Sequence, residues 1–222
     1  MNTGLFTAAA ALHPAADGYA LAYGSHATRP RPTSDLDLLY TGSEPLPEAR
    51  LARLIDGVKQ LHGDHGLSLD EEVSFTSKLY ATTREIEHAA HLGGFDGITA
   101  YATPVGDSAT LNSPAFKLRL VLNALTSPHV FLTGDIQTYR RHVAAAERGC
   151  ALLALRITGA GRLTLVTALR ALLSSAEGLT EKHFLGYRHE PHLHAVLRRG
   201  FAHLAHDGQV HIHHDMITRR AT

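Results

Sequence analysis

The sequence has a single cysteine and no uninterrupted apolar run of the roughly 18 residues that a membrane-spanning helix needs. One cysteine excludes a disulfide framework within the chain and every zinc motif built from cysteine pairs. Cys150 lies in an apolar stretch, so we expect a buried and unreactive thiol. The apolar run from Leu5 to Leu12 has no basic residue before it, so no signal peptide is expected. These absences favour a cytoplasmic protein without membrane contact.

The chain also lacks net charge, because 21 basic residues match 21 acidic ones over 222 residues. The balance is uneven along the sequence. Residues 1–111 hold 7 basic and 14 acidic side chains, whereas residues 112–222 hold 14 basic and 7 acidic ones. Such asymmetry indicates two regions with different electrostatic roles. With 44% hydrophobic residues, the chain can bury a core in one large or two small domains.

The first half has alternating strand and helix patterns. Periodicity and the positions of proline and glycine predict a short helix over 3–13, strands over Tyr19–Tyr23, 35–40 and 67–75, a proline-rich loop over 27–34, and a helix over 47–62. The glycine-rich region 85–112 gives no clear pattern beyond a possible strand at 98–102.

The second half has apolar residues at helical spacing. Helices are predicted over 114–125, 135–157, 162–176 and 191–206. The fold class is therefore α+β: an N-terminal mixed sheet with flanking helices over residues 1–112, followed by a mostly helical C-terminal domain over residues 113–222.

The most informative segment begins with Gly24-Ser25 and reaches Asp35-Leu36-Asp37 after nine further residues. A glycine at the end of a strand lets backbone N–H groups approach an anion, and the Ser25 hydroxyl adds a donor. Asp35 and Asp37 are two apart on a predicted strand, so both carboxylates should project from one face. Paired carboxylates repel unless a cation lies between them, and Mg²⁺ is the natural ion. Phosphate donors beside such an ion indicate phosphoryl or nucleotidyl transfer.

A third carboxylate is expected on a neighbouring strand, and the acidic run at residues 70–72 supplies three candidates. Glu72 and Asp70 share the parity that faces away from the core. Glu72 is the first choice because it lies deeper in the predicted strand, and Asp70 is the second. Glu71 has the buried parity and serves only if the strand begins later or bulges.

The Gly24-Ser25 turn, the Asp-x-Asp strand, the following helix and the acidic strand resemble the DNA polymerase β-type nucleotidyltransferase superfamily. The chain is most similar to its small bacterial members, the minimal and antibiotic nucleotidyltransferases, over about residues 15–80. The resemblance implies that Ser25 binds the nucleoside triphosphate and that Asp35 and Asp37 hold metal, with two Mg²⁺ ions in all. The third acid would hold the second metal or activate the acceptor. The chain departs from the pattern at Arg29-Pro-Arg-Pro32, where the family often has glycine or serine.

Other polar residues could contact the nucleotide. Arg29 can reach the triphosphate or remain solvated in its loop. Lys182 and Tyr187, in the most polar stretch of the second half, can close over a nucleotide or acceptor, or can simply mark a helix start and turn. Nine of the 17 histidines lie between His183 and His214, but their spacing matches no zinc motif, so no histidine metal site is expected.

The sequence thus predicts an enzyme that transfers an NMP, most often AMP from ATP in the resembling family, to an acceptor hydroxyl with release of pyrophosphate. The acceptor is expected to be a small hydroxylated molecule. Two alternatives stay open: a toxin–antitoxin-type enzyme acting on tRNA or protein, and an inactive nucleotide-binding or partner-binding module. The absence of a basic total charge counts against nucleic acid, although the basic second half keeps tRNA open.

Overall fold

The computed structural model describes residues 3–28, 34–69, 79–94, 121, 124–177 and 190–220. The elements in chain order are α1 (Thr3–Ala11), β1 (Tyr19–Tyr23), α2 (Ser25–Thr28), β2 (Asp37–Gly42), α3 (Glu48–Asp64), β3 (Tyr80–Thr82), α4 (Thr83–Gly94), β4 (His129–Gly134), α5 (Ile136–Thr158), β5 (Arg162–Thr164), α6 (Leu165–Glu177), α7 (Glu190–His206), β6 (Val210–His213) and β7 (Met216–Arg219).

A four-stranded mixed sheet has the order β3-β2-β1-β4. Strand β1 pairs antiparallel with both β2 and β4, whereas β2 and β3 are parallel. In the β1–β2 register, Tyr23 lies opposite Asp37 and Ala20 opposite Tyr40. The predicted mixed sheet with flanking helices is confirmed at this level.

One face of the sheet packs against α1 and α3. Strand residues of one parity, including Ala22, Leu38 and Tyr40, join Leu54 and Val58 of α3 in this core. The apolar side chains of α3 recur every three or four residues, so they form one stripe that the sheet covers. The Tyr40 hydroxyl, buried in this core, donates to the Ala9 carbonyl of α1 at 2.7 Å.

The opposite face packs against the later helices. Strand residues of the other parity, Tyr19, Leu21, Tyr23 and Leu39, share a core with apolar side chains of α4, α5, α6 and α7. Both faces of the sheet are therefore covered, and Asp37 has the parity of this second face because it lies two residues before Leu39. The end of this face that carries Tyr23 and Asp37 is where the candidate site lies.

The second half contains strands as well as helices. A three-stranded antiparallel sheet of order β5-β7-β6 packs beside α5, α6 and α7. The prediction of a mostly helical region is thus confirmed only in part. The helix predicted from residue 162 begins three residues later, because Arg162–Thr164 pairs with β7. Local periodicity does not show such pairing.

Several elements are absent from the sequence-based expectation or lie elsewhere. Helix α4 fills part of the unassigned glycine-rich region, and β4 adds to the N-terminal sheet from beyond the predicted boundary. The strand predicted over 67–75 is wrong in its first residues, since Leu67–Leu69 has no regular structure, and the remainder lies outside the described residues. The possible strand at 98–102 and the boundary between residues 112 and 113 also lie outside them, so both stay predictions.

Candidate functional site

Gly24 is the residue on which the site geometry depends. It follows β1 directly and has a backbone φ of +72°, a conformation that other residues rarely adopt. A side chain here would also collide with the Oδ2 atom of Asp37, because the carboxylate lies directly against the Gly24 Cα. The turn and the Asp-x-Asp segment, well separated in sequence, are therefore in van der Waals contact.

Asp37 is the first residue of β2, Asp35 lies two residues before the strand, and each is half-buried. Leu36, between the two acids, and Leu38, after Asp37, are both buried, as the predicted alternation requires. Burial raises the pKa of the Tyr23 phenol, and the nearby charges of Asp37 and Asp35 raise it further, because they disfavour a phenolate. Asp37 lies opposite Tyr23 across the β1–β2 pair, and the charge of Asp35 also reaches the Tyr23 phenol.

Ser25 and His26 close the base of the loop that links the two motifs. The Ser25 hydroxyl donates to the Ser34 hydroxyl at 3.0 Å, and the His26 Nε2 atom donates to the Ser34 carbonyl at 3.0 Å. Since Ser34 precedes Asp35, these bonds hold the start of the Asp-x-Asp segment beside the Gly-Ser turn. Arg29, within this loop, lies outside the described residues.

The structure brings together four of the predicted site residues: Gly24, Ser25, Asp35 and Asp37. The remaining candidates, Asp70, Glu71, Glu72, Arg29, Lys182 and Tyr187, lie outside the described ranges. Among the described residues, no cluster of three or more histidine, cysteine or carboxylate side chains is close enough to hold a metal ion. The described part of the site is thus a carboxylate pair beside a glycine-serine turn.

Two half-buried carboxylates suit a hard divalent cation such as Mg²⁺, which binds oxygen ligands and usually keeps several waters. Mg²⁺ is commonly held by one or two carboxylates together with substrate phosphate oxygens. The Asp37 carboxylate lies against bare backbone at Gly24, which leaves the glycine-serine turn and the carboxylate side by side. The donor set therefore fits Mg²⁺ and offers no soft ligand that would select a thiophilic metal.

His129 and Tyr23 belong to the site region but were not among the predicted residues. In the sheet, Asp37, Tyr23 and His129 are successive cross-strand partners, so their side chains share one face. His129 donates from Nδ1 to the Ser127 carbonyl at 2.7 Å, and its Nε2 atom accepts from the Tyr139 hydroxyl at 2.7 Å. Burial lowers the pKa of His129, so its imidazole is neutral at pH 7. No local signal reveals His129, because its place depends on the pairing of β4 with β1.

The C-terminal histidines form no metal centre within the part of the chain that the structure describes. His211 accepts from the Arg220 guanidinium at 2.7 Å, and the rings of His213 and His214 meet edge to face. His211 and His213, which both belong to β6, are exposed. Their contacts are those of a surface hairpin.

Comparisons of the chain with protein-family models, with curated proteins and with solved structures found no match. None of the described helices is both long and apolar enough to cross a bilayer. A functional proposal for this chain therefore depends on its own residues and their geometry.

Proposed function

We propose that this protein is a metal-dependent nucleotidyltransferase that transfers an NMP from a nucleoside triphosphate to an acceptor hydroxyl. The observation that carries the proposal is the contact between Gly24 and the Asp37 carboxylate. In this contact the glycine-serine turn, which suits a phosphate group, lies directly beside the carboxylate pair, which suits a cation. By its sequence resemblance, the preferred triphosphate is ATP.

The Gly-Ser turn suits the triphosphate. Gly24 has no side chain to keep an anion away from its backbone, and Ser25 begins the short helix α2 with a hydroxyl donor. The Ser25 hydroxyl now donates to Ser34, so phosphate binding would replace or share that hydrogen bond. This hydrogen bond therefore already fixes the position of the Ser25 hydroxyl beside the turn.

Asp35 and Asp37 would hold Mg²⁺, which neutralises phosphate charge and orients the reacting oxygens when bound. Asp37 is anchored by the β1–β2 pairing, and Asp35 by the bonds that fix Ser34. Rigid placement of this kind matters, because most of the rate enhancement in such transfers comes from positioning and charge stabilisation.

In the proposed reaction, the acceptor hydroxyl oxygen attacks the α-phosphorus in line with the bond to the β-phosphate. That P–O bond breaks, its electron pair leaves with pyrophosphate, and the NMP stays on the acceptor. The hydroxyl proton passes to a general base, for which Glu72 and Asp70 are the candidates from the sequence. Lys182 and Tyr187 remain proposed contacts to the nucleotide or acceptor.

A small hydroxylated molecule is the proposed acceptor class. The alternatives are transfer to tRNA or a protein side chain, and an inactive nucleotide-binding module. The half-buried carboxylate pair at the turn favours a catalytic site over an inactive one, because two carboxylates beside a glycine-serine turn suit a divalent cation with a bound triphosphate.

Incubation with α-³²P-labelled ATP and Mg²⁺ tests the activity, with small-molecule, tRNA and protein acceptor pools separated afterwards. We expect label in the small-molecule fraction together with pyrophosphate release. Asp37→Asn should lower the rate by at least about 100-fold, because a metal ligand supplies several kcal/mol of transition-state stabilisation.

Asp56→Asn is the matched control, since Asp56 is exposed on α3. It should retain wild-type activity. Equal pyrophosphate release by wild type and Asp37→Asn in every pool would overturn the enzyme proposal. Label on tRNA or protein alone would instead select the alternative acceptor.

A further inference from the structure

A buried histidine of α3 contacts the Asp-x-Asp segment from behind. His62 lies in the last turn of the helix and is only 3% exposed. Its Nδ1 atom is 2.8 Å from the Val58 carbonyl oxygen, and its Nε2 atom is 3.1 Å from the Leu36 backbone nitrogen. A carbonyl only accepts, so Nδ1 carries the hydrogen, and Nε2 accepts from the Leu36 N–H. The two partners thus fix a neutral imidazole and its tautomer.

The amide that His62 binds lies between the two carboxylates. Leu36 is flanked by Asp35 and Asp37, and its side chain is 4% exposed in the core with α3. The pairing of β2 with β1 ends at Asp37 opposite Tyr23, one residue short of Leu36. His62 therefore supplies the acceptor that the strand ladder does not, and a buried donor left without an acceptor destabilises the fold.

We propose that His62 is a positioning residue for the metal site, which acts by fixing the Leu36 amide and with it the two carboxylates. The backbone at Leu36 sets the direction in which Asp35 and Asp37 leave the chain. Held by His62 on the α3 side, the segment presents Asp37 on the Tyr23 face, with the charge of Asp35 close enough to act on the Tyr23 phenol. The inference rests on the proposed function, because it takes the carboxylate pair to be a cation site.

If His62 only stabilised the fold, its loss would affect cation binding no more than the loss of another buried histidine. His142 gives the comparison, because it is also buried, at 0% exposure, but lies on α5 and bonds the Tyr19 hydroxyl at 3.0 Å. Loss of either imidazole should destabilise the fold. Only loss of His62 should weaken cation binding, because only its amide partner lies between the two acids.

Mn²⁺ binding to the full chain, followed by the electron paramagnetic resonance signal of the free ion, tests the proposal at pH 7.5. His62→Leu removes the acceptor and should weaken Mn²⁺ binding by about 10-fold, as is usual for residues that orient metal ligands. His62→Gln should restore binding close to wild type, because a glutamine oxygen accepts from Leu36 while its NH₂ group donates to Val58. His142→Leu should lower the unfolding temperature and leave Mn²⁺ affinity unchanged.

The same titration on Asp37→Asn distinguishes a failure of the proposed cation site from a failure of the proposed role of His62. If Asp37→Asn binds Mn²⁺ as tightly as wild type, the cation site of the proposed function is wrong, and the role of His62 fails with it. If Asp37→Asn loses Mn²⁺ while a folded His62→Leu does not, the role of His62 alone is wrong. A failure of His62→Gln to restore binding would also overturn it.

Amide hydrogen exchange on the wild-type protein provides a measurement that does not depend on a folded variant. The Leu36 amide should be as protected as the amides paired within β2, because His62 holds it inside the core. Rapid exchange at Leu36 beside slow exchange in β2 would overturn the proposal.

Discussion

At the scale of single residues, the site depends on where side chains are absent as much as on where they are present. Gly24 combines a positive φ with contact to the Asp37 carboxylate, so it meets two requirements that alanine fails. Tyr23 stands beside both acids, and burial with their charge keeps its hydroxyl protonated. Cys150, by contrast, is buried in the core, as expected, and burial raises its pKa to about 12, which disfavours the reactive thiolate.

Gly24→Ala should impair both stability and cation binding. A left-handed conformation costs an alanine about 1–2 kcal/mol, and the new methyl group must displace the Asp37 carboxylate. We expect a lower urea midpoint and weaker Mn²⁺ binding. Gly63→Ala is the control, because an added Cβ at this helical position meets no atom within 4 Å. That variant should gain about 0.5–1 kcal/mol, and an equal loss in both variants would contradict the account.

At the scale of elements, helix ends explain what the sequence pattern revealed and what it concealed. Helix α5 begins after Asp135, which accepts from the Gln137 N–H, and ends at Gly159 with φ of +60°. Both signals agree with its predicted range. Helix α4 begins at a capping box in which Thr82 accepts from the Glu85 N–H and Glu85 accepts from the Thr82 N–H. That Thr-x-x-Glu signal stands in the sequence and could have located α4.

Thr82→Ala should destabilise the fold by about 1 kcal/mol in urea denaturation, because it removes the hydroxyl that caps α4. The same hydroxyl also donates to Glu85 at 3.0 Å, and that bond is lost as well. Thr82→Ser keeps the hydroxyl and should stay near wild type. A serine variant as unstable as the alanine variant would show that the Thr82 methyl packing, not the cap, is responsible.

At the scale of the whole molecule, the two halves of opposite charge share a core. Strand β4 joins β1 from beyond the predicted boundary, and α5 packs on the sheet face that carries Tyr19. Helix α7 then packs closely on α5, where an added side chain at Gly200 would collide with the Glu147 carbonyl. At this contact the exposed Arg199 guanidinium donates to the buried Glu147 carboxylate at 2.6 Å. The acidic and basic halves thus fold against each other.

His142 lies at this junction and should make the whole fold sensitive to acid. Burial, with a smaller contribution from Arg141, lowers its pKa from 6.5 to about 4, and among the described residues its Nε2 atom has no hydrogen-bond partner. The unfolded chain therefore binds a proton below pH 6.5 that the folded chain takes up only near pH 4. Stability from this group is complete above pH 6.5 and falls as the pH drops, by about 2 kcal/mol at pH 5.

Urea denaturation at pH 7.5 and pH 5 measures the predicted loss of stability on acidification. His142→Phe should be less stable than wild type at pH 7.5, because Tyr19 loses its partner, but should lose less on acidification. His213→Ala changes an exposed histidine of β6 and should keep the full wild-type loss. An identical acid loss in wild type and His142→Phe would contradict the assignment. The half-buried His129 contributes in the same direction, so a residual loss is expected.

Much of the architecture could be predicted because it depends on neighbours in the chain. Strand β1 occupies its predicted residues, and helices α3, α5 and α7 lie within about two residues of the predicted limits. Each of these has an apolar stripe or a terminal signal of its own. Strands β4 and β5 had no such signal, since each is a strand only through pairing with a distant partner.

Three features of the site and chain can be read from the amino-acid sequence alone: the spacing of the Gly-Ser turn and the Asp-x-Asp segment, the alternation that buries Leu36 and Leu38, and the split of charge between the halves. The contact of Gly24 with Asp37 and the hydrogen bond of His62 to the Leu36 amide, 26 residues away, are visible only in the folded chain. The physical reason is that periodicity records which face of an element is buried, whereas contacts between elements follow from packing. A contact that depends on the missing side chain of one glycine, or on one buried hydrogen-bond acceptor, produces no periodic pattern in the sequence.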